Sequence, residues 1–279
     1  MQKPYERITS RQNALVSLAV KLAERKHRER EGLFRFDGKK LFLEALEKGV
    51  ELVAVLLRES SAEKLLSAVG DWSPSEECRT VLLPDDLFER VSQERAPEGV
   101  ICLARCLDNV HESVTIDAWR EAALWENEAH VLFLESVRDP GNLGTIVRAG
   151  CAFGVSAIVL SEDCADIYNP RVLRAAMGTL FTQPIFVTSD LSLLVREYAK
   201  HKRVFAATLS ERSVKLGRVA LLPGDAALIG NEGHGLSDAV ISAATDEIYI
   251  PMEAGVESLN AGVAASVLLW EFYRGQGHE

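Results

Sequence analysis

Residues able to do chemistry stand together in segment 135–150, directly after a predicted strand. Within it, Asn142 can cap the helix that follows, and Arg148 lies six residues further along that helix. The neighbours of Arg148 are largely apolar, and a guanidinium in such surroundings needs a carboxylate or a phosphate as its partner. We therefore favour a functional site, in which both side chains could face one ligand, over a plain N-cap and a solvated arginine.

A glycine-rich segment, residues 228–236, follows another predicted strand. It holds three glycines within six residues, and glycine lets the backbone approach a ligand closely. Glu232, between two of these glycines, could bind a hydroxyl or an amine, whereas we interpret His234 as a surface residue and not as the catalyst. The segment is not a GxGxxG motif, and the chain has no phosphate-loop motif, which argues against a dinucleotide-binding fold.

The third segment, residues 248–262, leads into a long helix of small and apolar residues. Ser258 is a natural N-cap for this helix. Gly262, Ala264 and Ala265 keep the helix thin, so another part of the molecule must pack closely against it. Either another helix or a cofactor-binding loop would meet this requirement.

The second half of the chain alternates strands and helices in a way that would position all three segments. Such alternation predicts an α/β fold with a mostly parallel sheet that is covered on both faces. Open sheets of this kind gather their ligands at the carboxyl ends of the strands. The predicted strands are 131–135, 157–160, 185–187, 204–208, 226–229 and 247–250, and the main predicted helices are 143–153, 191–201 and 258–273.

The first hundred residues predict a smaller α/β unit, and a stretch rich in charged and small residues follows it. We therefore predict an N-terminal domain over 1–106, a linker over 107–128 with a short helix near 119–124, and a second domain over 129–279. The predicted helices of the first unit are 10–28, 41–46, 62–69 and 85–91, and its predicted strands are 33–36, 52–57, 80–83 and 99–104.

The composition is that of a soluble globular protein. The 279 residues carry a net charge of -10, with 47% hydrophobic and 26% charged residues, which excludes disordered, fibrous and low-complexity classes. We expect no membrane helix, because no apolar run reaches roughly 20 residues, and no secretory signal. The five cysteines form no CxxC pair, which fits reduced thiols in the cytoplasm, and no metal site is predicted.

Positive charge is concentrated at the N-terminus. Residues 1–40 contain eleven Lys and Arg against five acids, a local charge of +6, so the remainder carries -16. A basic end on an acidic body is typical of a phosphate-binding appendage, because cations displace the counterions of nucleic acid. A solvated helix face explains the charge equally well.

Taken together, the three segments resemble the SpoU/TrmH-type branch of the SPOUT RNA methyltransferases. The resemblance covers residues 130–273 and rests on three ordered motifs: N-x-G-x-x-x-R at 142–148, G-N-E-G at 230–233, and I-P-M followed by E-S-L-N at 250–260. The stretch 169–178 is also similar to the family sequence between the first two motifs, whereas residues 261 and 262 are smaller than the family leads us to expect. By their layout, the first hundred residues resemble the small α/β RNA-binding domain that often precedes the catalytic domain.

The resemblance implies an S-adenosylmethionine-dependent methyltransferase that modifies a ribose 2′-hydroxyl in structured RNA, with ribosomal RNA favoured. It also implies a homodimer whose C-terminal parallel-sheet SPOUT domain is tied in a trefoil knot. The residues that match the family's cofactor positions are Thr208, Gly230, Asn231, Gly233, Ile250, Ser258 and Leu259. Those that match its catalytic positions are Asn142, Arg148, Glu232, Ser258 and Asn260.

By the same resemblance, Arg148 takes the place of the base or alkoxide stabiliser. An arginine is effectively always protonated, so we prefer an electrostatic role in which Arg148 holds the RNA phosphate and stabilises the developing alkoxide. A true base would require a deprotonated guanidinium. RNA contact must be concentrated on so acidic a chain, and the residues predicted to make it are Arg7, Arg11, Arg35, Lys39, Lys40, Arg138, Arg171 and Arg174.

Three other functions compete with this one. The same reaction on transfer RNA is the nearest alternative. A non-enzymatic RNA-binding protein that keeps the fold is the second, and the joint presence of all the catalytic-position residues argues against it. A nucleotide-binding oxidoreductase is disfavoured because the dinucleotide fingerprint is missing.

Overall fold

The computed structural model describes residues 5–275 except 71, 73, 76, 232, 254, 256 and 257. The chain forms two compact units. The first unit consists of Met1–Leu107 together with Tyr168–Phe181, and the second of Asp108–Ile167 together with Thr182–Glu279. The first unit therefore includes a segment that is distant from it in sequence.

The first unit is a five-stranded mixed sheet with helices packed on it. Its strands lie in the order β1-β4-β3-β5-β2, with β5 antiparallel to both of its neighbours. The strands are β1 (Glu6–Arg7), β2 (Leu33–Asp37), β3 (Leu52–Arg58), β4 (Arg79–Leu83) and β5 (Val100–Arg105). The helices are α1 (Ala14–Lys21), α2 (Arg25–Glu31), α3 (Lys39–Glu47), α4 (Ala62–Ala68), α5 (Asp85–Val91) and, from the distant segment, α8 (Pro170–Ala176).

The first predicted helix is in fact two helices, α1 and α2. Asn13 caps α1 by accepting a hydrogen bond from the Leu15 backbone N–H at 2.9 Å. Where α1 ends, the buried Arg28 donates to the carbonyls of Leu22 and Ala23, each at 2.9 Å. These bonds satisfy carbonyl groups that a helix end leaves without partners, so the chain can turn into α2.

The second unit is built on an eight-stranded sheet, in which every pairing between named strands is parallel. The strand order is β11-β13-β10-β12-β7-β8-β9-β6, which confirms the predicted parallel-sheet α/β class. The strands are β6 (Val110–His111), β7 (Val131–Leu134), β8 (Ala157–Ser161), β9 (Ile185–Thr188), β10 (Val204–Ala207), β11 (Val214–Lys215), β12 (Ala226–Ile229) and β13 (Asp246–Tyr249). The helices are α6 (Ile116–Ala122), α7 (Pro140–Ala152), α9 (Leu191–Tyr198), α10 (Asp238–Ile241) and α11 (Ala261–Gly275).

Part of the predicted linker is ordered structure within the second unit. Strand β6 pairs with β9, and α6 places Trp119 in the core. The Trp119 ring is fully buried against the rings of Phe133, Phe186 and Tyr198. Trp119, together with the partly buried Trp125 that lies near Tyr198, thus anchors a stretch whose other residues are mostly charged or small.

Among the described residues, no helix is long and apolar enough to cross a membrane, and no group of three or more His, Cys, Asp and Glu could hold a metal ion. All five cysteines are free thiols. Cys78 and Cys102 are buried, and burial raises the pKa of Cys78 to about 11. These two thiols are core residues.

Candidate active site

A cavity of about 450 Å³ opens at the carboxyl ends of β10, β12 and β13. The sheet order runs outward in opposite directions from β7 and its neighbour β12, and the cavity lies on the β12 side of this switch point, at the carboxyl ends where parallel sheets bind ligands. The described residues that line the cavity are Ala207, Thr208, Leu209, Ile229, Gly230, Asn231, Gly233, Gly235, Ile248, Tyr249, Ile250, Met252, Ser258, Leu259, Ala261 and Ala264. None of these lining residues has a charged side chain.

The cavity brings together residues from the second and third of the sequence segments, 228–236 and 248–262, and residues 207–209, whereas no described residue of the first segment, 135–150, lines it. Each of the seven predicted cofactor-position residues lines it, namely Thr208, Gly230, Asn231, Gly233, Ile250, Ser258 and Leu259. Its walls are mainly aliphatic side chains and glycine backbone, with a few hydroxyl and amide groups between them. This composition suits a ligand with a flat apolar ring and polar edges.

The glycine-rich loop, defined here as residues 230–235, is closed on itself. Asn231 and Gly235 exchange backbone hydrogen bonds of 3.0 and 2.9 Å. The Asn231 side-chain oxygen accepts from the Gly233 N–H at 2.8 Å. A Cβ atom at position 230 would lie 2.4 Å from the Gly235 carbonyl group and 2.6 Å from the Leu236 nitrogen. Glycine is therefore required at position 230 by a backbone contact.

Ser136, for which the sequence suggested no role, supports this loop from the end of β7. Its carbonyl accepts a 2.7 Å hydrogen bond from Asn231 Nδ2. Ser136 has a φ of 55°, a conformation that costs a non-glycine residue about 1 to 3 kcal/mol. Two hydrogen bonds hold it there. The Ser161 hydroxyl accepts from the Ser136 backbone N–H at 2.8 Å, and the Asp163 carboxylate accepts from the Ser136 hydroxyl at 2.5 Å.

The Asp163 carboxylate stays charged over a wide pH range. Although its partial burial acts in the opposite direction, hydrogen bonds from Ser136, Ser161 and Arg138 lower its pKa to about 2. The bond from Arg138 is 2.8 Å long. Arg138, predicted to contact RNA, is thus an exposed residue that already has a carboxylate partner.

Helix α7 begins earlier than predicted, and Asn142 is not its N-cap. Asp139 caps the helix, and its side chain accepts from the Asn142 backbone N–H at 2.8 Å, with Pro140 in the first turn. Proline has no backbone N–H, but an N–H at this position would find no partner within the helix, so nothing is lost. The side chain of Asn142 instead accepts a 2.8 Å hydrogen bond from Asn260 Nδ2.

Helix α11 begins at Ala261, so Ser258 does not cap it either. Asn260 takes that position, and its side-chain oxygen accepts from the Val263 N–H at 3.3 Å. One amide group therefore caps α11 and bridges to Asn142 on α7. Ser258 lies in the exposed segment before the helix and lines the cavity.

The close packing predicted for the last helix is present. A Cβ atom at Gly262 would lie 3.2 to 3.3 Å from the side chain of Thr145 on α7. Ala261 and Ala264, on the same helix, line the cavity. The small residues of α11 therefore serve both of the proposed purposes, since they admit a neighbouring helix and a ligand cavity.

Arg148 is exposed on α7. Within the described part of the chain its side chain has no hydrogen bond or ion pair, and it is not among the residues that line the cavity. Its guanidinium is thus available to an anionic ligand. Glu232, the remaining predicted catalytic residue, lies outside the described residues, and His234 is exposed as expected.

One of the predicted RNA contacts is wrong. Arg35 is only 2% exposed, because β2 directs its side chain into the first unit. It donates to both carboxylate oxygens of Asp37 at 2.7 Å and to the carbonyls of Ala19 and Val91. A guanidinium with all these partners is a structural residue and cannot reach RNA.

The other predicted RNA contacts in the first unit lie at or near its surface. Arg11, Lys40, Arg171 and Arg174 are exposed, Lys39 is half-buried, and Arg7 is an exposed partner of Glu59. The two arginines of α8 belong to the same unit as Lys39 and Lys40 at the start of α3. The Gly178 N–H after α8 donates to Glu44 on α3 at 2.7 Å, which fixes the two helices together.

A family model for SpoU rRNA methylases matches residues 129–270, which is more than half of the chain. The chain belongs to the SpoU rRNA methylase family. A second model, for an MRM3-like substrate-binding domain, matches residues 13–102. The resemblance stated from the sequence motifs is thereby confirmed, and the SpoU match covers the cavity and the three motifs.

Individual SpoU relatives match almost the whole chain. The 23S rRNA (guanosine(2553)-2'-O)-methyltransferase RlmP of Bacillus subtilis is 27% identical, over 95% of this chain and 98% of its own. An uncharacterized tRNA/rRNA methyltransferase of Synechocystis is 29% identical, over 96% and 94%. A solved structure of a TrmH-family RNA methyltransferase from Porphyromonas gingivalis has a TM-score of 0.76 at 28% identity, over 92% and 96%.

Proposed function

We propose that this chain transfers a methyl group from S-adenosylmethionine to a ribose 2′-hydroxyl of ribosomal RNA. The observation that carries the proposal is the cavity at the carboxyl ends of β10, β12 and β13, which lies within the part of the chain that matches the SpoU family. The RlmP relative, a 2′-O-methyltransferase of 23S ribosomal RNA, aligns with this chain over nearly the full length, including both units.

The residues present fit the proposed cofactor. About 450 Å³ is within the range of small-molecule sites. Ile229, Ile248 and Leu259 offer aliphatic surface for an adenine ring, while Thr208, Asn231 and Ser258 offer hydrogen-bonding groups for its polar parts. When bound, S-adenosylmethionine supplies an activated methyl group on a sulfonium. The sulfur leaves as a neutral thioether, so no acid is needed to protonate it.

The residues of this chain must then activate the ribose hydroxyl. As the methyl group moves, the hydroxyl releases its proton to the surrounding water and negative charge develops on its oxygen. The guanidinium of Arg148, which has no partner among the described residues, is suited to bind a neighbouring RNA phosphate and to stabilise that oxygen. The hydrogen bond between Asn142 and Asn260 joins α7, which carries Arg148, to the helix that lines the cofactor cavity. These two amides therefore orient the reacting groups.

The first unit is proposed to bind the RNA. Five arginines of the basic N-terminal stretch either form ion pairs within the protein or are buried, namely Arg7, Arg25, Arg28, Arg30 and Arg35. Arg11, Lys21, Lys26 and Lys40 remain exposed in that stretch, and α8 adds Arg171 and Arg174 to the same unit. A folded ribosomal RNA would be recognised through its phosphates and shape by such a cationic surface.

The protein is proposed to act as a cytoplasmic homodimer. Val263, Val267 and Trp270 recur at helical spacing on α11 and are 49%, 36% and 48% exposed. The Trp270 ring lies near those of Phe153 and Tyr273, so the exposed stripe continues onto the end of α7. A second copy of this helix would cover the stripe. The five free thiols are in keeping with a reducing compartment.

The decisive experiment incubates the purified protein with methyl-labelled S-adenosylmethionine and unmodified ribosomal or transfer RNA. We expect label on a ribose of ribosomal RNA, located by its resistance to alkaline cleavage. Label on transfer RNA alone would correct the substrate. Absence of label on either RNA, together with absence of cofactor binding, would overturn the proposal in favour of an RNA-binding protein.

The role of Arg148 is tested by Arg148→Ala. We expect methyl transfer to fall by about 10² to 10³-fold, because a charge-stabilising donor is lost, while affinity for S-adenosylhomocysteine stays unchanged. Arg196→Ala is the matched control, since Arg196 is an exposed arginine on α9. Loss of cofactor affinity in Arg148→Ala would show that Arg148 is structural.

A further inference from the structure

Two consecutive residues at the end of β7 hold both ends of the glycine-rich loop. At the start of the loop, the Ser136 carbonyl accepts from Asn231 Nδ2. Just beyond its end, the Glu135 carboxylate takes two hydrogen bonds from Ser237, one from the hydroxyl at 2.6 Å and one from the backbone N–H at 2.7 Å. The neighbouring strand therefore fixes the loop on either side.

The loop held in this way forms one wall of the cavity. Gly230, Asn231, Gly233 and Gly235 all line it. The backbone pairing of Asn231 with Gly235 makes the loop a closed unit, so that a shift at Ser237 is passed to the whole wall. The shape of the cavity thus depends on what fixes Ser237.

We propose that Glu135 is a positioning residue for methyl transfer, whose carboxylate holds the glycine-rich loop in the shape that binds the cofactor. This inference rests on the proposed function. Glu135 is not among the described residues that line the cavity, so it acts through Ser237 and the loop. Two hydrogen bonds to one carboxylate are stronger than bonds to a neutral acceptor, and both must break before the loop can move outward.

Ser237 also caps α10, so a purely structural role of Glu135 must be distinguished from positioning. The chain contains a matched control for this purpose. Asp190 caps α9 in the same manner, and its carboxylate accepts from the Ser192 hydroxyl at 2.9 Å and from the Leu193 N–H at 3.0 Å. Helix α9 contributes no residue to the cavity lining.

The test compares the unaltered protein with Glu135→Ala, Glu135→Gln and Asp190→Ala. Calorimetric titration with S-adenosylhomocysteine measures affinity, and thermal unfolding measures stability. We expect Glu135→Ala to weaken binding by about tenfold or more, and Asp190→Ala to change it by less than about twofold at a comparable loss of stability. Glu135→Gln keeps one acceptor oxygen, so its affinity should lie between those of Glu135→Ala and the unaltered protein.

Kinetics and a double variant complete the test. We expect the KM for S-adenosylmethionine to rise in Glu135→Ala while kcat changes little, because the reacting groups stay intact. Adding Ser237→Ala to Glu135→Ala should cause no further loss of affinity, since the two side chains act as one contact. If Glu135→Ala does not fold, the affinity of Ser237→Ala alone is measured instead, because this variant removes only a single hydroxyl.

Three results would overturn the inference. Cofactor affinity unchanged in Glu135→Ala is the first, and an equal loss of affinity in Asp190→Ala is the second. Losses that add independently in the double variant are the third. Failure of the unaltered protein to bind S-adenosylhomocysteine would be a different result, because it contradicts the proposed function itself and this inference with it.

Discussion

At the scale of single residues, the candidate site depends on backbone contacts and amide orientation more than on charge. Gly230 stands where the loop backbone passes so closely that a side chain has no room. Asn260 uses its oxygen to cap α11 and its nitrogen to hold Asn142, so both halves of one amide are engaged. Small changes at these positions should therefore affect ligand binding before they affect the fold.

Gly230→Ala tests this directly. The new methyl group would lie 2.4 Å from the Gly235 carbonyl group, so the loop backbone must move and the cavity must change shape. We expect affinity for S-adenosylhomocysteine, measured by calorimetry, to fall by roughly tenfold or more. Gly233→Ala is the comparison in the same loop, because its new methyl group would meet a side-chain atom of Asn231 at 3.3 Å, a tight contact that a shift of a few tenths of an ångström relieves, and it should cost less. Equal effects of the two variants would contradict the account.

At the scale of elements, α11 links the cavity to the far end of the sheet. Its first turn lines the cavity and meets Thr145 on α7. Near its other end, the Phe272 carbonyl lies 3.1 Å from Nε2 of His130, while Nδ1 of the same ring lies 2.7 Å from the Asp225 carbonyl. The buried His130, just before β7, thus ties α11 to the residue that precedes β12.

This tie predicts a pH dependence of stability. Burial lowers the pKa of His130, although the two carbonyls and the Asp225 charge oppose that effect. The folded protein therefore holds the ring neutral at pH values where the unfolded chain, with a histidine pKa of about 6.5, binds a proton. The stability contributed by His130 is complete above about pH 6.5 and is lost as the pH falls through the folded-state value.

The measurement is the apparent thermal unfolding midpoint between about pH 5 and 8, the range in which histidine titrates. We expect the midpoint to fall more steeply on the acid side in the unaltered protein than in His130→Gln, whatever the overall stability of the variant. His201→Gln, which changes an exposed histidine, should leave the slope as it is. A slope that is the same in all three proteins would refute this role of His130.

At the scale of the whole molecule, the apolar stripe on α11 determines the expected assembly. We expect light scattering to give a mass of twice 30.7 kDa for the unaltered protein and of 30.7 kDa for Trp270→Glu, because a buried carboxylate in the stripe would oppose association. Leu193→Glu is the control, since Leu193 is 40% exposed on α9, outside the stripe. A single-chain mass for the unaltered protein would exclude the homodimer.

Much of the architecture could be predicted from local sequence patterns. Strands such as Ala226–Ile229 and helices such as Asp85–Val91 have the predicted bounds, because their apolar periodicity and turn residues agree with their burial. Strands β1, β6 and β11 were missed, since each has only two residues and is defined by its partner strand. The knot stays a prediction.

By itself, the sequence determined the fold class, the family and two of the segments that line the cavity, because motifs and hydrophobic periods are local properties of the chain. Only the tertiary structure decided that Arg35 is buried, that Asp139 and Asn260 are the caps, and that Glu135 and Ser136 hold the loop. Each of these depends on a partner far away in sequence or on the exact residue at which a helix begins. Such pairings arise only when the sheet brings strand ends together, and no local pattern encodes them.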